Sequence, residues 1–284
     1  MTRDSLPNDA QAPGGTRLLA LATSGAWASA ALLRTGQAGI ECDSLAEPAG
    51  PDQSARMLAM IGELLPREKL DSLDAIAFDA GPGAFTGLRI GCSVAQGLAF
   101  ARGLPLIEVG SLEAAAWRSL RASGLPAALV LAVNDARMGE VYAALFSVSA
   151  PASDAGAPIC ELLAGPAVAR PEAPPPALAR AALEPARPDL AGRPSLAAGD
   201  AWHGIGLGEG WRRAIGLAPG AGPQAALRSA QPGDARAVAE LALGLWRAGL
   251  AVPAEAASPR YVRDKVALDV DEQRLLRERK AGAA

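Results

Sequence analysis

Residues 79–100, DAGPGAFTGLRIGCSVAQGLAF, are where this sequence could meet a ligand. Gly81 and Gly83 permit positive φ, and Pro82 stiffens the turn between them. A strand, a glycine-rich turn and a helix opening near Thr86 can aim free backbone N–H groups at a phosphate. The spacing is not the dinucleotide fingerprint, and no Gly-Lys-Ser/Thr loop follows. A tight strand-to-helix turn without a ligand fits the same residues. Elsewhere the options are few. His203 is the only histidine, so a Ser-His-Asp triad would have to use it, and a multi-histidine metal site is excluded. Cys42, Cys92 and Cys160 show no Cys-x-x-Cys spacing, which argues against a disulfide framework and fits a reducing cytoplasm.

The helix that must follow the turn carries a second signal. Gly87, Gly91, Ala95, Ala99 and Gly103 recur at four-residue steps and form a stripe with almost no side chain. Leu88, Ile90, Val94, Leu98 and Phe100 fill the rest, and only Arg89, Gln96 and Arg102 are strongly polar. A helix apolar nearly all round is buried nearly all round. Each internal glycine costs about 1 kcal/mol relative to alanine. A small-residue stripe offsets that cost when another element approaches closely. That element is either the chain's own sheet or a helix of a partner chain.

The elements that position this segment follow from the apolar pattern. The chain has 284 residues, 50% hydrophobic and 20% charged, which suits one large or two smaller globular domains. A net charge of −3 gives no basic field for nucleic acid. Residues 1–15 read as a disordered tail. RLLALATS (17–24) and AWASAALL (26–33) read as a hairpin, followed by a weaker run at 37–45. Residues 52–65 place Met57, Leu58, Ile61, Leu64 and Leu65 at helical spacing. LDAIAFDA (73–80) enters the glycine turn as a strand, LPLIEVG (104–110) follows the helix as another, and Ser111 is placed to cap a further helix. The pattern restarts at Pro126: AALVLAVNDARMGEVYAALFSV (127–148) is again strand, polar turn, strand. Two hairpin-led halves, 16–125 and 126–284, predict a duplicated α/β domain. The Pro/Ala-rich stretch 149–194 reads as a surface excursion with one short helix near 176–183. SLAAGDAW (195–202) reads as a strand reaching a turn, and 234–249 as an amphipathic helix with Asp234 at its cap. The charged end is expected to dock only in part. The run after Arg17 is broken by Thr23, Ser24 and Ser29, so no membrane span is expected.

DAGPGAFTGLRIGCSVAQGLAF closely resembles the glycine segment of the TsaB family, the dimerization subunits of the bacterial machinery that makes threonylcarbamoyladenosine in tRNA. LLALATSGAWASAAL, LPLIEVGSLEAAA, VLAVNDARMGEVYAALF and SPRYVRDKVA resemble further family segments in the same order. The resemblance implies two ribonuclease-H-like halves of the actin, Hsp70 and sugar-kinase type, with mixed sheets flanked by helices. It implies a cytoplasmic, non-catalytic subunit that pairs with itself or with a TsaD-like transferase, the enzyme that modifies N6 of the adenosine beside the anticodon. A TsaC-like enzyme would supply the donor, and a TsaE-like ATPase would join the complex. tRNA would be met indirectly. Pairing would use helices at 52–65 and 86–102, making Met57, Leu58, Ile61, Gly87, Arg89, Ile90, Gly91, Val94, Ala95 and Leu98 the interface candidates. Gly81, Pro82, Gly83, Thr86 and Asp135 are the turn residues that could face a phosphate. No cofactor or metal is expected on this chain alone, with ATP or ADP conceivable at the partner interface.

One departure is informative. The family's first strand usually ends Leu-Asp-Thr-Ser, whereas here it reads Leu21-Ala22-Thr23-Ser24. Related ATPases use an acid at this strand end to position metal and phosphate, and Ala22 can do neither. Asp135, at the matching turn of the second half, remains. An actin-like ATPase or sugar kinase would want both acids, and a metallopeptidase a histidine pair. Both rival readings are therefore weaker than a scaffold.

Overall fold

A computed structural model describes residues 15–65, 67–183, 186–217 and 234–263. Residues 1–14 of the expected tail and the charged end from 264 onward lie outside the described residues.

The first sheet contains β1 (Arg17–Ala22), β2 (Trp27–Gly36), β3 (Gly39–Pro48), β4 (Ala75–Gly81) and β5 (Leu106–Gly110), in the order β3-β2-β1-β4-β5. The first three strands are antiparallel neighbours, whereas β4 and β5 run parallel to β1. Among the described residues the second sheet repeats the plan without a fifth strand. It contains β6 (Ala127–Arg137), β7 (Glu140–Ser149), β8 (Ile159–Ala169) and β9 (Ser195–Ala198), in the order β8-β7-β6-β9. Here β9 is the parallel strand, on β6.

Five layers result. Helices α1 (Gln53–Leu64) and α2 (Phe85–Arg102) cover the outer face of the first sheet, where Met57, Ile61, Ala95 and Ala99 pack on Leu19, Leu21 and Phe78. Helices α3 (Ser111–Ser123) and α7 (Ala235–Arg247) lie between the two sheets. The outer face of the second sheet is covered by short pieces, among them α4 (Arg180–Leu183), α5 (Ala201–Gly204) and α6 (Glu209–Ala214), with Trp211 and Leu178 packed on Leu131, Val141 and Leu145. Alternation along β1 puts Leu18 and Ala20 on the middle layer and Leu19 and Leu21 on the outer one. Both faces of each sheet are buried, which is why the central strands read as continuous apolar runs.

The middle helices are joined by polar ties as well as packing. The indole N–H of Trp117 donates to Glu240 at 2.6 Å, Arg121 reaches the same carboxylate at 2.6 Å, and Arg118 pairs with Asp234 at 2.5 Å.

Two sequence expectations need correction and a third is refined. The 149–194 stretch contains a full strand, β8, paired along β7 from Val141↔Ala169 to Ser149↔Ile159. Its alanines, Pro166 and shifts of register hide it from propensity. Ser111 does not cap α3: Gly110 holds that position, its N–H donating to Glu113 at 3.4 Å, while the buried Ser111 hydroxyl has no partner among the described residues. Asp234 does hold the N-cap position of α7, but its carboxylate is turned to Arg118 and makes no side-chain cap bond.

Candidate functional site

The glycine segment closes onto the end of β1. Asp79, alone among the apolar residues of β4, is 1% exposed. One oxygen accepts the Thr23 N–H at 3.0 Å and the other the Ser24 N–H at 2.9 Å. Burial pushes its carboxyl up to about 7, against the pull of those hydrogen bonds. The Thr23 hydroxyl donates to the Gly87 carbonyl at 2.8 Å.

This contact explains the small-residue stripe. A Cβ on Gly87 would stand 2.0 Å from the Thr23 carbonyl oxygen, and one on Gly91 would stand 2.4 Å from the Thr23 hydroxyl. Gly87, Gly91 and Ala95 are buried within this chain. The Gly87–Gly91 part of the stripe therefore receives the chain's own β1–β2 turn, and Ala95 and Ala99 pack on the first sheet, where a partner helix was expected. Met57 and Ile61 are likewise buried on the first sheet.

The remaining interface candidates face outward. Leu58 is 51% exposed and Arg89 is exposed, while Ile90, Val94 and Leu98 are half-buried along the outer side of α2. Phe100, at 79%, extends the same helix.

The turn residues are divided among neighbours. Gly83 lies against Ser24, whose carbonyl accepts the Ala84 N–H at 2.8 Å. Gly81, at φ +108°, lies under the Arg260 carbonyl, which a Cβ would approach to 2.8 Å. Pro82, Gly83 and Asp135 line one cavity of about 180 Å³, together with Phe85, Met138 and Tyr261. Gly81 and Pro82 border a second cavity of about 280 Å³ beside Glu113 and Cys160. Thr86 is exposed outside both.

The second half builds its own version of the turn. Asp200, after β9, accepts the Asp135 N–H at 2.8 Å, and its own N–H donates to Asn134 at 3.3 Å. Asp135 accepts the Arg137 N–H at 2.6 Å and pairs with that guanidinium at 2.9 Å.

The two turns border a cleft of about 230 Å³, lined by Ala22, Ser24, Trp27, Asp79, Arg118, Asn134, Asp200, His203 and Asp234 among others. Burial raises the Asp234 carboxyl, with Arg118 pulling the other way. Ala22 presents a methyl group here, and Asp79 spends both oxygens on backbone N–H groups. Among the described residues, no group of three or more His, Cys, Asp or Glu side chains is arranged to hold a metal ion. Asp79, Arg118, Asp200 and Tyr261 were not singled out from sequence, and Asp234 only as a helix cap. Only Asp79 left a signal, a lone acid in an otherwise apolar strand.

Sheets of matching topology, paired through their helices and meeting at a cleft, define an α/β protein with two ribonuclease-H-like halves of the actin type. A family model described as "TsaD: tRNA N6-adenosine threonylcarbamoyltransferase" matches residues 47–183. YeaZ from Pseudomonas aeruginosa superposes with a TM-score of 0.63 at 32% identity, over 87% of this chain and 99% of that one. The tRNA threonylcarbamoyladenosine biosynthesis protein TsaB of Haemophilus influenzae is 43% identical over 127 residues, 44% of this chain and 51% of that protein. The TsaB of Escherichia coli is 44% identical over 93 residues, 32% of this chain and 39% of that protein. These alignments span about half or less of the curated relatives' length. The chain belongs to the TsaB family, whose solved member YeaZ it matches over nearly its whole length. No helix among the described residues is long and apolar enough to cross a membrane.

Proposed function

We propose that this chain is a non-catalytic subunit in the formation of threonylcarbamoyladenosine in tRNA, docking a TsaD-type transferase through the outer faces of α1 and α2. The observation that carries the non-catalytic part is the first-half turn: Ala22 replaces an acid, and Asp79 is turned onto the Thr23 and Ser24 backbone. The docking part is supported by Leu58 and Phe100, large apolar side chains left exposed on the two helices. A TsaE-type ATPase would join the same assembly, and the chain would pair with itself when the transferase is missing. In this reading tRNA is contacted mainly by the partner. Any adenine nucleotide sits at the partner interface rather than in this chain's cleft.

Mass spectrometry of tRNA nucleosides from a strain depleted of the chain is the test. Loss of threonylcarbamoyladenosine is expected, and unchanged modification would remove the reading. The isolated chain should hydrolyse ATP negligibly. Robust turnover that vanishes on Asp135→Ala would replace the scaffold with an actin-like ATPase.

A further inference from the structure

Around the first turn of α2, one cation differs from its neighbours. Arg137 is paired with Asp135, Arg260 with Glu108 and Arg263 with Glu140. Arg89 has no carboxylate partner among the described residues, yet it is held in place. Its guanidinium carbon lies 3.8 Å from the centroid of the Phe85 ring, and its Nε donates to the Tyr261 hydroxyl at 3.4 Å. Phe85 and Tyr261 are themselves in contact, with centroids 5.3 Å apart and planes inclined at 38°.

Tyr261 comes from the far end of the chain, on a strap fastened beneath it. The Arg260 N–H donates to the Ala80 carbonyl at 2.6 Å, and the Ser258 N–H donates to Glu108 at 2.8 Å. The strap thus fixes one edge of the guanidinium. Among the described residues neither Nη group has a partner, and they lie on the exposed side of α2 in the planar fork that fits a carboxylate. Stacking on an aromatic ring has already removed much of the side chain's freedom, so little is lost when a partner engages it.

We propose that Arg89, stacked on Phe85 and braced by Tyr261, is a preset anchor for a carboxylate on the protein that docks α2. The inference rests on the docking reading above and names the chemistry the docking chain must bring. A carboxylate is favoured over an RNA phosphate for two reasons. The neighbouring arginines are already neutralised, and RNA binding draws on several unpaired cations at once. Phe85 and Tyr261, which touch Arg89, line a cavity with Met138, itself 61% exposed, and aromatic, Met and Arg side chains are enriched in the cores of protein interfaces. Tyr261 acts here as a positioning residue.

The test is sedimentation with the TsaD-family protein of the same genome, using the full chain and variants that melt like the wild type. Arg89→Ala should weaken association by roughly 30-fold or more, as truncating one side of a desolvated charge pair does. Arg89→Lys should fail to restore it, since a point charge neither forks nor stacks in the same way. Tyr261→Phe, which keeps the ring and loses the brace, should weaken it several-fold and reduce the Arg89→Ala effect in the double variant. Leu58→Glu is the control for docking itself. If Leu58→Glu dissociates the pair and Arg89→Ala does not, the anchor is wrong and the docking face stands. If neither variant matters, the docking face is wrong and the anchor falls with it. If Arg89→Ala leaves the protein pair intact but weakens tRNA binding, the anchor takes phosphate and the inference is overturned.

Discussion

The two halves meet the same requirement differently. Each must fix the turn at the end of its first strand, and each uses an aspartate at the end of the parallel strand beside it. In the first half, Asp79 is fully buried and holds two N–H groups. In the second half, Asp200 is exposed and holds one. The difference follows from what comes next in the chain. After β4, α2 runs for 18 residues and brings Gly87 against the Thr23 carbonyl. After β9, α5 lasts only 4 residues, and Gly199 makes the close approach, against the Val133 carbonyl. The long helix buries Thr23 and Asp79 at the root of the first turn, while Gly25, Ala26 and Trp27 stay exposed at the cleft. A short one leaves the second turn open to the cleft. Burial fixes the geometry, and it commits both oxygens of Asp79 to the Thr23 and Ser24 N–H groups at the wall of the cleft.

The comparison is most directly broken at Gly87. Its missing Cβ faces a backbone oxygen that cannot rotate away, so Gly87→Ala should destabilise the isolated chain by about 3 kcal/mol through overpacking. A thermal melt should show a fall of roughly 6–12 °C. An unchanged melt would mean that α2 is not seated on the turn.

Asp79 against Asp200 sharpens it next. The folded-state carboxyl of Asp79 is raised from 3.8 to about 7, so the folded chain holds a proton that the unfolded chain releases. Stability should therefore be highest below the ordinary carboxylate range and fall as pH rises towards 7, by up to about 1.4 kcal/mol per pH unit. Denaturant titrations from pH 4 to 8 should show this slope in the wild type and a shallower one in Asp79→Asn, the remainder coming from the Asp234 and Glu113 carboxyls that burial also raises. Asp200→Asn should leave the slope as it is. An unchanged slope in Asp79→Asn would place the responsible proton elsewhere.

The smallest effect separates the two faces of α2. Gly97 has nothing within 4 Å of its would-be Cβ and lies on the exposed face. Gly97→Ala should raise stability by about 0.5–1 kcal/mol, the helix-propensity gain alone. A loss measured on the isolated chain would show that the outer face is not free.

The fold was legible wherever a strand or helix had one clear period. α1 and α2 begin within one residue of where the apolar spacing of Met57, Leu58 and Ile61 and the opening near Thr86 put them. β8 was not legible, because its membership is decided by pairing with β7 and not by the propensity of Ala, Gly and Pro. The direction of the glycine stripe was not legible either. Spacing says that Gly87 and Gly91 share a face, but only the fold says that Thr23 lies opposite. The cleft was hardest, since Arg118, Asp200 and Asp234 are brought together from distant segments, and the one local pattern among them marks Asp234 only as a helix cap.

The middle layer has a further consequence. α3 comes from the first half of the sequence, yet it packs on the second sheet through Ser119, whose hydroxyl donates to the Ala197 carbonyl at 2.9 Å. α7 follows the second sheet in sequence, yet its first N–H donates to Ser29 of the first sheet at 3.1 Å. Each sheet wears a cover made by the other's portion of chain. A fragment stopping near residue 125 would expose the inner face of β1 and β2, which α7 covers in the intact protein. The repeat visible in the topology is therefore not a seam along which the molecule can be cut, and heating should melt both sheets in one transition.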